Sequence, residues 1–349
     1  MPAPMSTADA PAHRKRWWFH LIAIALVLLA AFGILVGADV YLHYKLARYA
    51  AVNIWGYRGR IAGRKHAGER RILMIGPSTV FGVGVGADEA IPAQLEGRLT
   101  ARASQAVTVV NLGFPGEDAF AYRADLEDYL FLKPDAVIFY GDNNHSGGAT
   151  PIVLRRLSPV FKLTGYYPLI DTALREKAMS LEHGGDLAAA YRGDKVVVRT
   201  GFATRAGAAA LGGAADMAES LHRVFGPLTV KAETPPAVVS TCRADFSPFC
   251  DAMHSAVAYA RSLHLPVLVV NHAYTSDRQV QAQQAIQAML RERFGNDPGV
   301  RYLDLGWAVD LHDSALSFDG AHLTPAGNRQ VAERLIEPAL DLLSAANQR

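Results

Sequence analysis

Arg71-Ile72-Leu73-Met74-Ile75-Gly76-Pro77-Ser78 is the stretch from which the architecture can be read. An apolar run of strand length that ends on glycine predicts a buried β-strand, and Ser78 then falls in a strand-to-helix turn. The same unit recurs downstream. Ala106 to Leu112 (AVTVVNL), Ala136 to Tyr140 (AVIFY), Pro266 to Asn271 (PVLVVN) and Val300 to Leu305 are the other expected strands. Between them lie stretches of helical character at residues 90–103, from Asp118 to Leu132 (stopped by Pro134), from Asp251 to His264 and from Asp277 to Phe294. A last helix runs from Pro325 to near Ala345. Strands alternating with helices predict an α/β fold, a three-layer α/β/α sandwich on a mainly parallel sheet.

Residues 145–250 break this rhythm. Tyr166-Tyr167-Pro168 and the run from Lys231 to Pro236 are loop signals, Ala173 to Leu181 reads as a helix, and Ala206 to Val224 has weak helical character. The segment is expected to be an insertion that caps the core.

The N-terminus carries a different signal. Arg14-Lys15-Arg16 precede Trp17, Trp18 and Phe19, and Leu21 to Ala38 contains no charge. That length just reaches the spanning threshold, and tryptophans suit the membrane interface. The expected division is a cytoplasmic N-terminus (1–16), a transmembrane signal anchor (17–40), a polar juxtamembrane connector (41–70) and a folded body (71–345). Lys45 and Arg48 on the far side blunt the charge asymmetry that sets the orientation. Val36-Gly37-Ala38 resembles a small-residue cleavage site, so a removed signal peptide is the rival reading; the long apolar run favours the uncleaved anchor.

Of 349 residues, 35 are Lys or Arg and 33 are Asp or Glu, a net charge of +2 that argues against a nucleic-acid partner. No glycine-rich phosphate loop or zinc pattern is present, so no cofactor and no metal is expected. Cys242 and Cys250 are too few for a disulfide framework. In an oxidising compartment they could pair locally; two free thiols are an equal alternative.

Near the C-terminus, Asp319-Gly320-Ala321-His322 places a carboxylate three residues ahead of a histidine in a turn before a helix. The spacing lets Asp319 accept from His322 Nδ1–H, which holds the ring in one tautomer with Nε2 outward as a base. Ser78 is the candidate nucleophile. In parallel sheets ligands sit outside the carboxyl ends of the strands. Ser78, Gly113, Asn143 and the Asp319–His322 loop each follow an expected strand at that edge. Blander roles exist for each: Ser78 as a helix N-cap, Gly113 to Gly116 as a tight turn, Asn143-Asn144 as turn residues. His272 and His145 also fall there and read more simply as loop histidines. Trp307 reads as packing or a pocket wall.

Four blocks in order, Ile75-Gly76-Pro77-Ser78 with Phe81-Gly82, Asn111 to Gly116, Gly141-Asp142-Asn143-Asn144, and Asp319 to His322, resemble the SGNH hydrolases, the GDSL-type esterase and lipase superfamily. The resemblance spans about residues 71–330, leaves out the N-terminal helix and the insertion, and implies a flavodoxin-like sheet. It implies Ser78 as nucleophile, His322 as general base and acid, and Asp319 as the orienting carboxylate. The implied oxyanion hole consists of the Ser78 and Gly113 backbone N–H groups and the Asn143 side-chain amide. Two positions depart from the family pattern: Pro77 stands where an aspartate is usual, and Asn144 replaces the aspartate after the oxyanion-hole asparagine.

The resemblance implies ester hydrolysis through an acyl-enzyme. The N-terminal segment sets the expected location as the inner membrane, single-pass, with the body periplasmic or otherwise extracytoplasmic. The expected partners are the membrane and an acylated, for example acetylated, carbohydrate of the envelope or of an exported polymer. An O-acyltransferase would use the same three residues with a sugar hydroxyl in place of water, beside a membrane acyltransferase partner. Pro77 and Asn144 motivate a third reading, a catalytically degenerate domain that serves in binding or assembly.

Overall fold

The computed structural model describes residues 10–46, 52–141, 159–182, 201–203, 206–214, 242 and 246–346. Five strands form one parallel sheet: β1 (Arg70–Gly76), β2 (Val107–Gly113), β3 (Ala136–Gly141), β4 (Val267–Asn271) and β5 (Val300–Leu303). Their spatial order is β2-β1-β3-β4-β5, the flavodoxin-like order, with its switch point between β1 and β3. The pairing is in step: Gly76 lies opposite Gly113 and Gly141 opposite Asn271. The carboxyl ends of four strands therefore finish level.

Both faces of the sheet are covered, which is why the strands read as unbroken apolar runs. Leu73, Ile75, Val137, Phe139, Val267 and Val269 face one core. That core is closed by α4 (Ala119–Asp128), α7 (Ser247–Ser262) and α8 (Asp277–Phe294), which contribute Leu126, Met253 and Ile286 among others. Ile72, Met74, Ile138, Leu268 and Val270 face the other, closed by α3 (Ile91–Arg102) and α9 (Pro325–Ala346) through Leu95, Leu99, Leu335 and Ile336. A one-turn helix, α2 (Ser78–Phe81), follows β1 directly.

Three sequence expectations need correction. β5 stops at Leu303, because Leu305 already belongs to the loop beyond the sheet. The helix expected over Asp118–Leu132 ends at Asp128 and is followed by a 3-10 turn at Leu130–Leu132 that closes on left-handed Lys133. The third correction is the largest. The stretch expected to be a connector is partly helix and partly core: Val52, Tyr57 and Arg58 are buried, and Tyr57 packs edge-on against Tyr129.

The N-terminal helix α1 runs unbroken from Ala10 to Leu46, and its residues from Trp17 on are long and apolar enough to cross a membrane. A signal sequence meets the same description. Its final turns are docked on the body. Asp39 accepts from the N–H groups of Leu169 (2.8 Å) and Ile170 (2.7 Å) and from the Tyr166 hydroxyl. His43 bonds the carbonyl oxygens of Val52 (2.9 Å) and Tyr167 (2.8 Å).

Most of the expected insertion, with Asn143, Asn144 and His145, lies outside the described residues. Its described parts include α5 (Pro159–Thr164) and α6 (Ile170–Glu182), the second of which contains the expected helix over Ala173–Leu181. Phe161, Tyr167 and Leu169 join the main core. Of the expected helix from Ala206 to Val224, residues 206–214 are helical and 215–224 lie outside the described residues. Cys242 and Cys250 are joined in a disulfide with their Cα atoms 6.3 Å apart, which settles the open alternative in favour of pairing.

Candidate active site

The site begins where β1 ends. A Cβ on Gly76 would lie 2.5 Å from Val80 Cγ2 and 2.9 Å from Tyr140 O, so only glycine lets α2 start so close to the sheet. Pro77 occupies the N-cap position in an extended conformation and makes no side-chain hydrogen bond there. Ser78 is therefore the first helical residue and does not serve as the cap. Its Oγ is instead directed at the C-terminal loop, where it donates to His322 Nε2 at 3.0 Å across a separation of 244 residues.

The histidine is fixed from its other side. His322 Nδ1–H donates to Asp319 Oδ2 at 2.7 Å. The other carboxylate oxygen, Oδ1, accepts the backbone N–H groups of His322 (2.7 Å) and Ala321 (3.0 Å). Gly320, at φ +82°, supplies the left-handed residue that this tight turn needs. Partial burial by itself would raise the Asp319 carboxyl's pKa, but the hydrogen bonds from His322 and Ala321 outweigh it and hold the group below its ordinary value. About half of the Asp319 side chain and 29% of the His322 side chain remain exposed, so the relay is open to water on one side.

His272, read from sequence as a loop histidine, supports this loop from beneath. It is buried, and its Nε2–H donates to Ala321 O at 3.1 Å, while Tyr140 Oη lies 3.4 Å from Nδ1. It touches the loop backbone rather than the reacting groups. His272→Ala is expected to lower kcat about tenfold with KM little changed. A loss as large as that at Asp319 would mean that the base has been misassigned.

Gly113 meets only part of its expectation. A Cβ there would lie 2.2 Å from Phe81 N, so glycine is required where β2 passes behind α2. Its N–H, however, already donates to Asn111 Oδ1 at 3.0 Å. The residue expected to supply an oxyanion donor is thus a packing glycine whose donor is engaged. Among the described residues, the N–H groups of Ser78 and Gly116 have no acceptor. Gly116 has φ +80° and open space where a Cβ would stand. Both glycines sit in the same turn signal; Gly113 ends β2 against α2 with its N–H taken by Asn111, and Gly116 stands in the open at positive φ. Gly113→Ala is expected to displace α2 and to cut the rate of phosphonate labelling of Ser78 at least tenfold, as intact-protein mass spectrometry would show.

Trp307, expected in packing or a pocket wall, is 82% exposed and touches Tyr274 edge-on. Phe318, immediately before Asp319, is half-exposed and lies over Gly84. Among the described residues no group of three or more His, Cys, Asp or Glu side chains is placed to hold a metal ion. A groove of about 580 Å³ lined by Arg60, Arg64, His66 and Arg71 opens at the opposite edge of the sheet, away from the relay.

The fold and this geometry define an α/β protein with a Ser–His–Asp relay at the carboxyl edge of a parallel sheet. No family model matches the chain, and no curated protein matches it in sequence. Solved structures with a similar fold include a family 3 carbohydrate esterase from Clostridium thermocellum, at 12% identity and a TM-score of 0.43, covering 79% of this chain and 98% of its own. Another is a putative lipolytic protein of the G-D-S-L family from Desulfitobacterium hafniense, at 14% identity and TM-score 0.38, covering 76% and 98%. A third is an acetyl xylan esterase from the rumen bacterium Butyrivibrio proteoclasticus, at 12% identity and TM-score 0.40, covering 83% and 68%. At these scores the functional reading rests on the residues themselves.

Proposed function

We propose that the chain is a membrane-anchored serine esterase of the SGNH type, with Ser78 as nucleophile, His322 as general base and acid, and Asp319 as its orienting carboxylate. The observation that carries this reading is the unbroken relay from Asp319 Oδ2 through the His322 ring to Ser78 Oγ, joining ends of the chain 244 residues apart. A serine hydroxyl is a weak nucleophile until a neighbouring base takes its proton. As Ser78 Oγ attacks the ester carbonyl, its proton passes to His322 Nε2. The imidazolium that forms is stabilised by the Asp319 carboxylate. The same proton then goes to the departing alcohol, leaving an acyl group on Ser78. Water then gives a proton to His322 Nε2 and attacks that acyl group; the bond to Ser78 Oγ breaks, the carboxylic acid leaves, and His322 returns the proton to Ser78 Oγ.

The oxyanion would be received by the N–H groups of Ser78 and Gly116, with the Asn143 amide as a third donor. Losing one such donor costs about 10²–10³ in kcat. The intact relay speaks against a purely structural domain. The length of the apolar run in α1 supports an uncleaved anchor. The basic residues before Trp17 and the bonded cysteine pair support a cytoplasmic start and an extracytoplasmic body.

The proposed substrate is a small acyl ester, such as an acetyl group, on an envelope or exported carbohydrate. The test is turnover of p-nitrophenyl acetate by the full-length chain with and without an acetylated oligosaccharide or a free sugar acceptor. Release of acetate supports the esterase. Acetyl transfer to the added sugar would assign the chain instead to the O-acyltransferases, working beside a membrane acyltransferase partner.

A further inference from the structure

The nucleophile's turn is held from its far end by a residue that the sequence places in the connector. Arg58 is 2% exposed. Its Nη1 donates to Phe81 O at 2.5 Å and Gly82 O at 2.6 Å, and its Nη2 donates to Val85 O at 2.6 Å. The guanidinium carbon stands 4.3 Å from the centroid of the Phe81 ring. Phe81 ends α2, and Gly82, in the left-handed region at φ +83°, stops the helix from continuing. Phe81 O at that end has lost its helical donor, and one planar fork joins it to the carbonyl oxygens of Gly82 and Val85 just beyond the helix. Burial pushes the Arg58 pKa down to about 10, with Asp88 acting against the shift, so the group stays charged at neutral pH.

Asn111 completes the clamp from β2, its Nδ2 donating to Val80 O at 2.9 Å and Phe81 O at 3.3 Å, while its backbone carbonyl accepts the Arg58 backbone N–H at 3.1 Å. At the other end α2 follows β1 directly, Pro77 O accepts the Phe81 N–H at 3.0 Å and Ser78 O accepts the Gly82 N–H at 2.8 Å, so Phe81 and Gly82, which Arg58 holds, are bonded straight back to Pro77 and Ser78. A shift of the carbonyl end in a turn of four residues is therefore passed to Ser78.

We propose that Arg58 is a positioning residue for the reaction: by fixing the carbonyl end of α2 it sets the separation of Ser78 Oγ from His322 Nε2. This rests on the reading of Ser78 as nucleophile. It also ties the site to α1, because the chain reaches Arg58 through Val52, whose carbonyl is held by His43.

The test uses the full-length chain in detergent with Arg58→Lys and Arg58→Met. Three quantities are measured: kcat and KM for p-nitrophenyl acetate, the number of active sites titrated by a fluorophosphonate, and the rate constant of that labelling. A lysine keeps the charge but cannot present the fork to three carbonyls. Arg58→Lys is expected to lower kcat per titrated site about 10- to 100-fold, with KM within about twofold of wild type and the labelling rate falling in parallel. Arg58→Met should lose more; if it does not fold, the lysine variant decides. Wild-type kcat per titrated site in Arg58→Lys, or a change confined to KM or to the number of titrated sites, overturns the proposal. A wild-type protein that neither labels nor turns over ester sinks the reading of Ser78 itself, a separate outcome.

Discussion

Replacing Asp319 by asparagine is expected to lower kcat by about 10⁴-fold while leaving the protein folded. The two oxygens of this carboxylate do different work. Oδ1 accepts the N–H groups of Ala321 and His322, and Oδ2 accepts the His322 Nδ1–H. An asparagine can keep the first pair of bonds only by turning its carbonyl oxygen toward the backbone, which points its NH₂ at Nδ1. The ring then adopts the opposite tautomer, with its proton on Nε2, where it can no longer accept the Ser78 proton. The loop survives and the base is lost. The measurement is steady-state kinetics on both proteins alongside their melting temperatures. A loss below about tenfold with the fold retained would show that Asp319 does not orient the base.

The same carboxylate has a pH consequence. Its folded-state pKa is depressed, so the ionised form persists above that lowered value and is lost only as the pH falls through it. Protonation of Asp319 should therefore not limit activity at or above about pH 4, the ordinary range of a free aspartate.

Ser78→Ala is expected to remove turnover by about 10⁶-fold. The described contact of the hydroxyl is with His322 Nε2, so its loss should leave the melting temperature nearly unchanged. Any catalysis that remains would come from the oxyanion donors and substrate binding alone. Ester turnover within tenfold of wild type in Ser78→Ala would place the nucleophile elsewhere.

The central strands were legible because they are buried on both faces and so show as uninterrupted apolar runs, as in Ala136–Tyr140 and Val267–Asn271. The relay was legible for a different reason: DxxH fits a local turn, and a serine directly after a strand lands at the edge where the sheet gathers its loops. Arg58 was not. An arginine in a polar, basic stretch without periodicity reads as surface, and nothing near it in sequence reveals that three carbonyl oxygens 23–27 residues away converge on its guanidinium. Gly113 was half legible, since its need for glycine shows in the motif but the capture of its N–H by Asn111 depends on one side-chain torsion. The docking of Asp39 was hidden inside a helix whose composition speaks only of membrane, and its partners come from Tyr166, Leu169 and Ile170.

Catalysis at this site requires Ser78 Oγ to be activated by His322 at the rim of the sheet. Peptide mass spectrometry of the full-length protein after reaction with a fluorophosphonate tests this most directly. A single adduct on Ser78 that disappears in His322→Ala is the expected result. An absent adduct, or one on another residue, would contradict it.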